Sequence, residues 1–92
     1  MIADASEADE ILARIGEEAK AAFQAELDFY RWRVKNMSAP IKEFMHKCAD
    51  YSVQAGPLLT SYRKLESEHP QLLARADAII LPIQHEMFGA DY

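Results

Sequence analysis

The chain has 92 residues, half of them hydrophobic, with one cysteine and a formal net charge of −5. That length sets a single domain over 1–92, and that apolar content is too high for a disordered chain. No apolar run approaches the roughly 20 residues of a membrane-spanning helix. The acidic first stretch is unlike a basic secretory leader, and Cys48 has no second cysteine to pair with. The expectation is a cytoplasmic protein without membrane contact.

A long helix is expected first, over about 7–36. Ser6 stands before an acidic first turn with Asp9 three residues on, an imperfect start signal. Leu12, Ile15, Ala19, Phe23, Leu27, Tyr30, Val34 and Met37 then recur at three- and four-residue steps without proline, and Gly16 is the one weak point. At 1.5 Å per residue this element is roughly 45 Å long. A compact chain of this size has a radius of gyration near 12 Å, so the length itself points to oligomerisation.

Asn36 to Pro40 breaks the pattern, with Ser38 as a helix cap and Pro40 in the first turn of a second helix over about 39–55. Its inner stripe reads Ile41, Phe44, Met45, Cys48, Ser52 and Ala55, and Gly56-Pro57 marks an end or a kink. A third helix over about 57–68 turns Leu58, Leu59, Tyr62 and Leu65 inward and stops at His69-Pro70. A fourth over about 70–88 carries Leu72, Leu73, Ala76, Ile79, Ile80, Ile83 and Met87, bends at Pro82 and ends at Gly89. No two-residue alternation and no Asn-Gly or Asp-Gly turn signals a strand. The fold class is therefore an all-α bundle of one long helix and three shorter ones.

The charge is segregated: eight acids and two bases lie in 1–30, two acids and seven bases in 31–64, five acids and one base in 65–92. The basic middle either packs against the acidic ends and is neutralised within the molecule, the favoured expectation, or faces outward as a partner surface.

Glu43 and His46 share the spacing that places a carboxylate and an imidazole on one helix face, but turn away from the inner stripe. Glu66 and His69 have the same spacing and turn toward it. Glu26 stands inside the long helix's apolar stripe, where a carboxylate needs a partner. Taken from two chains, Glu26, Glu66 and His69 supply four carboxylates and two imidazoles, the ligand inventory of a two-metal centre for iron or another divalent metal. In this respect the chain resembles the encapsulated ferritin-like proteins, and the resemblance implies half a bundle per chain with metals at a dimer interface. It departs from them at Pro70, which follows His69 directly where their helix continues. The simpler reading pairs Glu26 with a base from the middle segment and leaves Glu66 and His69 at a helix end, where the dipole favours histidine.

The run from Phe29 to Lys35 interleaves aromatic and basic residues, the composition of a nucleic-acid or acidic-partner surface, but a pI near 5.1 argues against nucleic acid. Trp32 lies off the main stripe, where it packs on a neighbouring helix or anchors a protein contact. No nucleophile motif, phosphate loop or paired-cysteine motif occurs. The residues thus favour a non-catalytic protein–protein interaction module, such as an accessory subunit, adaptor, inhibitor or regulator. Tyr30, Arg31, Trp32 and Lys35 would touch another protein or a second copy. A ferritin-like metal-binding half-bundle is the alternative and a nucleic-acid-binding helical module the third reading.

Overall fold

The computed structural model describes residues 2–89, and their side chains from residue 7 onward. Three α-helices account for most of this span: α1 (Ile2–Lys35), α2 (Ile41–Glu68) and α3 (Leu73–Phe88), with a short 3₁₀ turn over Pro70–Leu72 leading into α3. No strand is present among the described residues, and none of the helices is long and apolar enough to cross a membrane.

The expected second and third helices are one. Residues 39–55 and 57–68 do not separate at Gly56-Pro57, because α2 runs through Pro57. A proline disfavours the helical conformation of the residue before it partly by clashing with that residue's Cβ. Gly56 has none, and nothing lies within 4 Å of where one would stand. On the far side of the proline Ser61 and Leu65 are buried, so packing holds the continuation in line. The fourth expected helix is correspondingly shorter, its first residues forming the 3₁₀ turn.

Helix boundaries shift for local reasons. The backbone of α1 is already helical at Ile2, so Ser6 does not start it, and the Ser6 side chain lies outside the described ones. At the α1–α2 connection the residue capping α2 is Pro40, not Ser38. Asn36 instead closes α1, its side-chain amide donating to the Trp32 carbonyl at 2.8 Å. Gly89 ends α3 as expected, with φ +98°, in the left-handed region that glycine occupies without strain.

α1 and α2 form an antiparallel hairpin, and α3 returns beside the first half of α1. The buried core is Ile11, Leu12, Ile15, Leu65 and Ala76, against which Leu58, Tyr62, Leu72, Leu73, Ile79 and Ile80 pack. Two polar contacts tie it. The Ser61 hydroxyl donates to Glu18 Oε1 at 2.6 Å, and the Tyr62 hydroxyl donates to Asp77 Oδ1 at 2.9 Å. α3 packs over Gly16, where a Cβ would stand in ordinary contact with Ile79 Cγ2 at 3.4 Å and Ile83 Cδ1 at 3.8 Å. α3 then ends with Phe88 set edge-on to Phe23, their centroids 5.6 Å apart.

This layout divides the chain into a three-helix body and a two-helix arm. The molecule measures 54 × 28 × 17 Å with a radius of gyration of 15.6 Å, well above the ~12 Å of a compact chain this long.

Candidate functional site

The arm is built from the second half of α1, the connection, and the first half of α2. From residue 23 to residue 60 no residue is buried. The apolar periodicity nevertheless continues through it. Tyr30, Val34, Met37, Ile41 and Met45 expose between 55% and 85% of their surface.

Helical register shows why these side chains share a side. The α1 stripe that meets α3 at Gly16 and Phe23 carries on at three- and four-residue steps to Leu27, Tyr30 and Val34, after α3 has stopped. On α2 the steps Ile41, Met45, Cys48, Ser52 and Leu59 make the matching stripe. The two meet in a groove beside the end of α3, lined by Ala22, Phe23 and Glu26 from α1 and by Ser52, Ala55 and Leu59 from α2. Burial first, and the Glu26 charge second, push the Tyr51 hydroxyl on this groove above its ordinary pKa of 10.0.

The opposite side of the arm mixes polar and aromatic side chains. A second groove there is lined by Gln24, Asp28, Lys47, Asp50 and Gln54 together with the rings of Phe29, Trp32 and Tyr51, the last of which lies between the two grooves. Trp32 is half-buried against Phe29, and the Lys47 ammonium stands over its ring at 5.8 Å. Arg33 lies over the Phe44 ring at the same distance. The arm's end is strongly basic, with Arg31, Arg33, Lys35, Lys42 and Lys47 against Glu43 alone between 31 and 47. Lys64 meets Glu7 at 3.4 Å in the body, while Arg31, Lys35 and Lys42 make no ion pair among the described residues. The basic middle therefore faces largely outward.

The residues expected to bind a partner are distributed around α1. Tyr30 lies on the apolar side with Val34. Arg31 and Lys35, both exposed, share another side, and Trp32 lies in the second groove. The carboxylate and histidine candidates are equally dispersed within one chain. Glu26 borders the apolar groove, Glu66 is exposed, and His69 is buried beside Glu7, with Nε2 3.7 Å from Oε1. Glu26 lies more than five turns along α1 from Glu7, roughly 28 Å. Glu43, His46, His85 and Glu86 face solvent.

Val34, Met37, Ile41 and Met45 were readable as apolar periodic positions, but periodicity does not reveal whether a stripe is covered. No family model matches the chain, and neither a curated protein nor a solved structure shows significant similarity to it.

Proposed function

We propose that the protein is a non-catalytic, self-associating interaction module whose binding surface is the apolar side of the arm, occupied by the same surface of a second copy. The observation that carries this reading is the arm's lack of a buried residue from 23 to 60, despite an apolar stripe on both of its helices. Isolated helices are marginal in water and depend on burying that stripe against another layer. Two arms related by a two-fold axis supply each other with the missing layer as a four-helix bundle, and such an interface closes on itself.

Charge sets the orientation. Laid antiparallel, the basic end of one arm reaches the α3 C-terminus of the other, where Glu86 and the negative end of the helix dipole stand. Laid parallel, the two basic ends would meet. An accessory-subunit, adaptor or regulatory role would then be exercised by the dimer.

Light scattering after size exclusion tests the reading. The expected result is a dimer that becomes a monomer in the double variant Tyr30→Asp/Met45→Asp, with the helical far-UV spectrum of the body retained. A wild-type monomer throughout the micromolar range would overturn it, as would a dimer indifferent to both substitutions.

A further inference from the structure

We infer that Glu7, Glu68 and His69 form a binding site for a divalent first-row transition ion such as zinc, joining the start of α1 to the end of α2. A donor atom from each of the three lies within 4.8 Å of the others. The inference is independent of the arm and of what occupies it.

Pro70 creates the geometry. It forces His69 out of the helix, to φ −139° and ψ 53°, and so turns the imidazole toward α1. The backbone there is held on both sides, the His69 N–H donating to the Leu65 carbonyl at 2.8 Å and its own carbonyl accepting from Leu72 N–H at 2.9 Å. His69 is only 9% exposed, yet its ring makes no hydrogen bond among the described residues. Glu7 Oε1 stands 3.7 Å from its Nε2, beyond hydrogen-bond reach. No side-chain nitrogen or oxygen among the described residues is fully sealed without a partner, so the ring retains an opening to solvent.

Glu7 is divided between two neighbours. Its Oε2 faces Lys64 Nζ at 3.4 Å, which orients the carboxylate and leaves Oε1 toward the imidazole. Glu68 approaches from the last residue of α2 and is exposed, giving the site its mouth. Donors around a tetrahedral ion with bonds of about 2.0–2.1 Å lie about 3.3 Å apart, a distance that rotation about the glutamate side-chain bonds can reach. One imidazole and two carboxylates with a water in the fourth position match borderline metals. The set is too nitrogenous for calcium or magnesium and lacks the thiolates of softer sites. Two carboxylates offset the double charge of the ion, with Lys64 on the far side of Glu7.

Calorimetric titration of zinc chloride into the untagged full chain is the test, with thermal unfolding and the His69 imidazole NMR resonances followed in parallel. One ion per chain is expected, with a rise in Tm and a shift of the His69 signals. Glu68→Gln, at an exposed position, should weaken binding at least tenfold, while Glu66→Gln, a neighbouring carboxylate outside the cluster, should leave it unchanged. Absence of binding, His69 signals that do not move, or equal losses in the two glutamine variants would each overturn the site.

Discussion

At the scale of single residues, the body is tied by polar contacts set at the edge of its apolar core. Ser61 is 3% exposed and its hydroxyl donates to Glu18 Oε1, a carboxylate that Arg14 also meets at 3.6 Å. Removing the donor leaves a largely desolvated carboxylate short of a partner, so Ser61→Ala should cost about 1–3 kcal/mol in urea unfolding. Tyr62 behaves differently because it titrates. Its hydrogen bond to Asp77, then burial, then the charges of Asp77 and Glu66 raise its pKa above the ordinary 10.0. The folded state thus favours the protonated phenol. That contribution is fully present below pH 10 and is lost as the pH rises through the raised value. Tyr62→Phe should therefore lower stability at neutral pH by about 1 kcal/mol and flatten the alkaline fall in Tm that the wild type shows. An equally steep alkaline limb in the variant would assign the titration to another group. Neither contact was legible in the sequence: Ser61 was not singled out, and Tyr62 was read only as an inward apolar position.

At the scale of elements, periodicity foretold helices well and their partners poorly. The long α1, the Gly89 stop and the inward α3 residues were all readable from spacing. The Gly56-Pro57 break was overread, since proline with glycine before it loses part of the steric conflict that ends helices. Most telling is the stripe Ile41, Met45 and Ser52, which reads as an inner surface and is exposed. An apolar stripe records that something covers it and does not say what. Gly16 shows the converse, a weak point in the helix reading that turns out to face α3. Its prospective Cβ stands in ordinary contact with Ile79 and Ile83. Gly16→Ala should therefore gain up to about 1 kcal/mol from helix propensity. Gly16→Leu should lose about 1–3 kcal/mol by forcing α3 away. Denaturant midpoints compare the two, and a destabilised alanine variant would mean that the helices have no room to spare.

At the scale of the whole molecule, shape and charge bear on one another. Among the described residues every buried apolar one belongs to the body, between Ala8 and Ala22 on α1 and at Leu65 and Ala76, so the last third of α1 and the first two thirds of α2 extend beyond these buried residues. For a chain this small the buried surface is already marginal, and stability then depends on association. The Tm should accordingly rise with protein concentration in the wild type and stay low and constant in Tyr30→Asp/Met45→Asp. Salt distinguishes the two possible arrangements. In an antiparallel pair, Arg31, Lys35 and Lys42 approach the acidic body of the other copy, and screening removes an attraction. In a parallel pair the same residues face their own copies, and screening removes a repulsion. We expect added sodium chloride to raise the dimer dissociation constant, read by sedimentation at several ionic strengths. Tighter association with salt would reverse the arms, because hydrophobic burial alone gives no reason for the basic ends to lie apart.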